Sequence, residues 1–252
     1  MEVRMKAFFI IFKTEFLLFL RNFFSFFFAL VFPVLMLVLF GGIYGNEPIY
    51  SGKGMMDICV PAYAVMVMGV TGLMSFPLTL AEYKEKKIYK RFDATPVGKK
   101  WIIAAQTTVH VIMTLIGIVI LCGMGKLLYD IKIQGNVGPI CIGILLSTAS
   151  MFSMGFLFTA IGRDSKGTSL LCYICYFIML FLSGATIPDM LFPDTMKTVA
   201  GFLPMTYAVD LMQGLFSGES FHMYRTELLV LGLSVILLTA LGALLYRKKD
   251  WT

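Results

Sequence analysis

Polar and apolar positions along this chain alternate in long blocks instead of at the short spacings of soluble helices or strands. Six apolar stretches, at about 23–45, 58–80, 102–125, 138–161, 168–186 and 228–246, hold no Asp, Glu, Lys or Arg in their interiors. A hydrocarbon core about 30 Å thick takes roughly 20 helical residues at about 1.5 Å each. Each stretch therefore predicts a membrane-crossing helix, and the chain reads as an all-α, polytopic membrane protein with six transmembrane helices.

Two segments break this pattern and predict something other than a span. Residues 1–21 mix Phe, Ile and Leu with charges, and at about 100° per residue Glu2, Lys6 and Lys13 share one face. That spacing predicts an N-terminal interfacial helix. Arg4, Glu15 and Asn22 fall nearly opposite, a second polar stripe that a protein partner would cover. The other reading of the segment is a frayed basic leader that only sets topology. Between spans five and six, SGATIPDMLFPDTMKTVAGFLPMTYAVDLMQGLFSGES is too apolar for a free loop and too interrupted for a span. It predicts an outer re-entrant helical hairpin, with Pro193 in the first turn of one short helix, Pro204 ending it, Thr206 capping a second and Gly218 stopping that one.

With 58% hydrophobic and 14% charged residues, the 252-residue chain has no room for a soluble catalytic unit, and residues 1–252 read as one domain. The net charge of +6 suggests nucleic acid until the positive residues are sorted by loop. Sixteen Lys and Arg fall on one side and five on the other, which places both termini in the cytoplasm of a plasma membrane and leaves no basic patch for nucleic acid. The first apolar run is too long and lacks the small-residue site of a cleavable signal. All five cysteines lie within or at the edge of spans; Cys172 and Cys175 form a C-x-x-C that reads as packing, so neither a disulfide framework nor a metal site is expected. Gly41 and Gly45 form a G-x-x-x-G that permits close helix approach. The 23 Phe and 18 Met read either as lipid-facing bulk or as an adaptable surface for an amphipathic substrate.

Candidate chemistry is sparse. The cytoplasmic loop from Glu82 to Lys100 is dense in charge, yet it interleaves Tyr83, Ile88, Tyr89 and Phe92 among Lys90 and Arg91. A membrane anchor needs only Lys and Arg, whereas apolar anchors with a basic rim suit a short helix docking into a partner's groove; both readings stand. In span three Gln106 and His110 lie four residues apart on one face turned to the bundle interior, either as an interhelical hydrogen-bonding pair or as part of a substrate path. GRDSKGTS, between spans four and five, has the Lys ahead of its second Gly and no strand before it, so it is no phosphate loop. Ion-coupled transport would ask for a carboxylate inside a span, and none is there. An intramembrane serine protease built on Ser183 and His110 would place them about 8 to 9 Å apart along the membrane normal before any lateral separation. What is left is a pathway without its own motor and a cytoplasmic surface fit to receive one.

Two stretches carry a family resemblance that extends over essentially the whole chain. EYKEKKIYKRFDATPVGKKWIIAAQ is similar to an E-R…G…L…L-x-A-T-P-V pattern, and the segment from Ser183 to Phe216 to an S-G…P…L-P…P-L-T-Y-A-V-D-x-x-R pattern. Both belong to the transmembrane subunits of type-2 ATP-binding cassette (ABC) exporters. The resemblance implies a permease subunit with no catalytic residue of its own. ATP and Mg would sit on a partner ATP-binding subunit, and a second permease subunit, identical or homologous, would complete the path. It implies that Glu82, Tyr83, Ile88, Tyr89, Arg91 and Phe92, with Ala94, Thr95, Pro96 and Val97, hold the coupling helix. It also implies that Ser183, Gly184, Pro188, Pro204, Tyr207, Asp210 and Gln213 belong to the outer gate. Two positions depart from the pattern: the glycine expected after the charged run is replaced in the region of Lys87 and Ile88, and the Arg expected three residues after Asp210 is Gln213.

Overall fold

The computed structural model describes residues 2–50, 53–95, 98–186 and 192–248; Pro96, Val97 and Pro188 lie outside the described residues. Among the described residues six helices are long and apolar enough to cross a membrane: Phe23–Tyr44, Met55–Glu85, Lys99–Tyr129, Val137–Ile161, Ser165–Leu182 and Phe221–Tyr246. The second sits at the centre of the bundle with 94% of its most apolar window buried, while the sixth, at 11%, lies on the outside. Hydrophobicity alone does not tell these two apart, because lipid and protein interior are equally apolar.

Several spans run longer than their apolar cores. The second continues through Glu82, Tyr83, Lys84 and Glu85, three of them charged, and the third starts at Lys99. Helix geometry does not stop where hydrocarbon does; strong helix formers carry the turns into the polar layer. The fifth span is the exception, ending at Leu182, short of the expected residue 186.

Both of the first two spans contain a π-helical turn, Phe27–Val31 and Val70–Ser75, and each is followed two residues later by a proline, Pro33 and Pro77. The proline ring removes an N–H and crowds the carbonyl four residues back, and a widened turn relieves both. In the second span the turn brings Gly72 against the fourth span, where a Cβ on Gly155 would lie 2.0 Å from the Gly72 carbonyl oxygen. Thr71 and Thr114 share a 2.7 Å hydrogen bond that ties the second span to the third, and Ser150 and Ser234 share one of 2.6 Å that ties the fourth to the sixth.

The remaining elements close the two ends. Glu2–Arg21 forms one continuous helix against the third span, with Phe8 edge-on to Trp101 at 6.0 Å. The stripe for which a partner seemed necessary is covered in part by the chain itself, because Glu15 is turned into the bundle and is only 5% exposed. A small antiparallel pair, Pro48–Tyr50 with Lys53–Gly54, joins the first two spans. Of the G-x-x-x-G glycines, only Gly41 makes a close approach, to the Tyr129 ring; Gly45 takes φ +64° and ends the helix.

The hairpin exists with its boundary shifted. The first helix, Asp194–Ala200, follows Pro193 and ends before Gly201; the second, Pro204–Phe216, begins at Pro204. Pro204 therefore opens the second helix, where its missing N–H costs nothing, instead of ending the first. Thr206 is not the cap either: its hydroxyl donates to the Ala200 carbonyl at 2.8 Å and clamps the two helices together. Gly218 does follow the end of the second helix, at φ +81°.

The Gly72–Gly155 contact generates the first prediction. Gly155→Ala should lower stability by about 1–3 kcal/mol, read as a fall in Tm of the detergent-purified protein. Gly123→Ala, where an added Cβ meets nothing within 4 Å inside a helix, should not lower Tm. Equal melting of both variants would refute the close packing of spans two and four.

Candidate functional site: the basic end of the bundle

The end of the bundle that carries most of the Lys and Arg is organised around one buried carboxylate. Glu15 Oε1 accepts a hydrogen bond from the Tyr83 hydroxyl at 2.5 Å and another from Gln106 Nε2 at 3.3 Å. Gln106, fully buried, accepts in turn from the Tyr89 hydroxyl at 2.7 Å through Oε1. One side chain each from the N-terminal helix, the second span, the third span and the short helix Ile88–Asp93 thus meet in a single chain of hydrogen bonds. An ionised carboxylate only accepts, so the Gln106 amide must turn its NH2 to Glu15 and its oxygen to Tyr89.

Burial raises the Glu15 carboxyl above its ordinary value of 4.5, and the bonds from Tyr83 and Gln106 offset part of that rise. Tyr89 is also pushed up, chiefly by burial.

The short helix is held from inside and open outside. Tyr89 is fully buried, with its ring 5.7 Å from that of Tyr83, so it fastens the helix to this chain instead of serving as an exposed anchor. Ile88 and Phe92 are half-buried, while Lys90, Arg91, Asp93, Ala94 and Thr95 are exposed. Lys87 precedes the helix at φ +54°, the left-handed conformation that a glycine adopts without strain, so the departure from the expected glycine falls at the very turn that would favour it. Asp93 closes the following loop by pairing with Lys99 Nζ at 3.0 Å and accepting its backbone N–H at 3.2 Å; the Lys99 bond holds its carboxyl below the usual range. Glu82 pairs with Lys86 at 3.3 Å, and Glu85 accepts from the Ser165 backbone at 2.8 Å, joining the second span to the start of the fifth.

His110 lies one helical turn deeper than Gln106. Its Nδ1 is 2.8 Å from the Gln106 carbonyl, and the ring stands edge-on between Phe19 and Phe76 at 5.5 and 5.7 Å. Gln106 and His110 are thus both satisfied within the bundle. Ser183 is buried beyond the end of the fifth span, and its hydroxyl has no partner among the described residues, so it forms no hydrogen-bonded pair with His110.

At the opposite end, Gln213 donates to the Ile58 carbonyl at 3.3 Å and Tyr207 to the Gly201 carbonyl at 2.7 Å; Gly184 takes φ +79°. Gln213 thus ties the hairpin to the second span. Sequence reasoning missed the hub of this end. Asn46 accepts from the Met56 backbone at 2.9 Å and donates to Asp57 at 3.2 Å and to the Tyr129 carbonyl at 3.0 Å. An Asn after a helix-ending glycine was the signal available for it.

Two cavities accompany these features. One of about 430 Å³ is apolar, opens between spans three, four and six, and is lined by Val111, Leu145, Phe152 and Val235 with Thr107 and Thr148. The other, about 320 Å³, lies beside Glu15. Among the described residues no three His, Cys, Asp or Glu converge to hold a metal ion.

These features define an all-α multi-pass membrane protein with a short helix presented at one end and a helical hairpin at the other. The family model for the ABC-2 type transporter matches residues 6–217, and the chain belongs to that family. It is an ABC transporter permease subunit, a transport component that is not itself catalytic, and its family implies association with an ABC ATP-binding subunit. A comparison with curated proteins found no match.

The raised Glu15 carboxyl has a pH consequence. Because the folded chain binds this proton more tightly than the unfolded one, the contribution is full at low pH and is lost as pH climbs through the window above 4.5. In lipid-free detergent, the Tm of Glu15→Gln relative to that of the native protein should therefore rise as pH climbs above 4.5. A difference that stays constant or falls with pH would refute the buried, raised carboxyl.

Proposed function

We propose that this chain is one half of an exporter: a six-span subunit that pairs with a copy or a homologue around a central path and carries an amphipathic or lipid-like substrate, such as a drug, antibiotic, lipid or glycan precursor. ATP and Mg bind only to two cytoplasmic ATPase subunits. By the positive-inside rule the basic end faces the cytoplasm of a bacterial or archaeal plasma membrane, with both termini on that side.

The observation that carries this reading is the helix Ile88–Asp93, exposed through Lys90 and Arg91 on one side and locked through Tyr89 to Gln106 on the other. A surface fastened in this way passes a push on to the third span and, through Glu15 and Tyr83, to the N-terminal helix and the second span. Closing of the ATPase pair then tilts the bundle and parts the outer hairpins. The apolar cleft between spans three, four and six suits the hydrocarbon part of such a substrate. The protease alternative lacks a Ser183–His110 contact, and the ion-coupled alternative lacks a carboxylate within the interior of any described span.

Reconstitution with the cognate ATPase tests the reading. Lys90→Glu combined with Arg91→Glu should cut transport and substrate-stimulated ATP hydrolysis at least tenfold, about 1.4 kcal/mol, while the subunit stays folded in the membrane. Tyr89→Phe should keep the ATPase bound yet lower transport per ATP hydrolysed. Transport without any nucleotide, or full coupling in the charge-reversed variant, would overturn it.

A further inference from the structure

The cavity beside Glu15 is unlike the apolar cleft. It lies where the N-terminal helix ends and the first span begins, and its walls combine Glu15, Arg21, Glu82 and Tyr83 with Leu18 and Leu78. Two observations make it a ligand-sized polar site and not a packing gap. Its volume of about 320 Å³ would hold a small head group. Glu15, although 5% exposed, spends both of its hydrogen bonds on Oε1, so that Oε2 is engaged by none of the described residues. A carboxylate oxygen left without a partner in the wall of a cavity can accept from a donor there, and it holds a cationic donor most strongly.

The charges around it specify more. Glu82, at the rim, offers a second carboxylate, partly engaged by Lys86. Arg21 is exposed, lines the same cavity and forms no ion pair among the described residues. His110, also in the wall, is tied to the Gln106 carbonyl. The cavity thus offers acceptors for a positive group and, apart from them, a guanidinium for a negative one. Immediately after Asn22, Phe23 and Phe24 are 70% and 65% exposed, a surface fit for acyl chains. Arg21, a charged residue next to the first apolar span, belongs at the level of lipid head groups.

We propose that this cavity binds the head group of an ethanolamine phospholipid, with the primary ammonium against Glu15 and Glu82, the phosphate on Arg21 and the acyl chains along Phe23 and Phe24. A protonated primary amine fits better than a quaternary one because it can donate hydrogen bonds to Glu15 Oε2 as well as neutralise it. The site rests on the membrane placement of the chain and not on transport, so it can be tested without an ATPase.

The purified protein is exchanged into nanodiscs or micelles with equimolar ethanolamine, choline and glycerol phospholipids, and the retained lipid is read by native mass spectrometry. Soluble phosphoethanolamine, which lacks chains, is run as a separate arm. The native chain should retain the ethanolamine lipid at least tenfold over the other two and should not bind the soluble head group. Glu15→Gln, whose amide can still accept from Tyr83, should lose the preference. Arg21→Ser, at an exposed position without partners to lose, should keep the preference for ethanolamine over choline but bind several-fold more weakly. Equal retention of all three lipids, an unchanged preference in Glu15→Gln, unchanged binding in Arg21→Ser, or capture of the soluble head group would each overturn the proposal.

Discussion

One buried carboxylate, Glu15, sets the arrangement of the basic end, because a charge or a proton held out of water must be met by donors from whatever surrounds it. Its donors come from the second and third spans, and the third span's Gln106 is itself oriented by Tyr89 of the short helix. Apolar packing alone would leave four helices free to slide, since lipid contacts and protein contacts are similar in kind. Directional bonds remove that freedom. The result is a rigid node at the end of the molecule that carries the short helix, and a comparatively soft apolar body.

The second node lies at the other end and works by the same physics with different groups. Asn46 makes four hydrogen bonds to Met56, Asp57 and Tyr129, and Asp57 accepts from the Lys132 backbone at 2.9 Å while capping its own helix through Gly54. Between the two nodes the spans touch through glycine and hydroxyl contacts such as Gly72–Gly155 and Thr71–Thr114. Small residues let the helix backbones approach closely, and these contacts carry fewer directional bonds than the two end networks. On the proposed exporter reading, such a body can rock while both of its ends keep their geometry.

Much of this plan was legible in the sequence. The six apolar runs are each long enough to cross a hydrocarbon core, and tertiary structure does not override the need to keep so much apolar surface out of water. The hairpin was legible as a class for the same reason, though not its boundary: Pro204 can end one helix or begin the next, and only the path of the chain decides which. The site was legible as a region but not as contacts. Tyr89 reads as an exposed anchor among charges, yet it is the most buried residue of its helix. Glu15 reads as part of a stray polar stripe, because its partners are 68 and 91 residues away in sequence and no local periodicity encodes them.

The turn at Lys87 links these scales. A glycine there would enter the left-handed region freely and would leave the joint between the second span and the short helix loose in the unfolded and folded chain alike. Lysine in the same conformation costs about 1 kcal/mol, and the structure holds it there because Tyr89, two residues on, is anchored to Gln106 and Glu85, two residues back, is tied to the fifth span. The strain is thus carried by neighbours that are fixed for other reasons. A joint clamped on both sides moves with the spans it connects, and on the proposed exporter reading this is the property required of an element that receives a push at Lys90 and Arg91 and delivers it to the bundle.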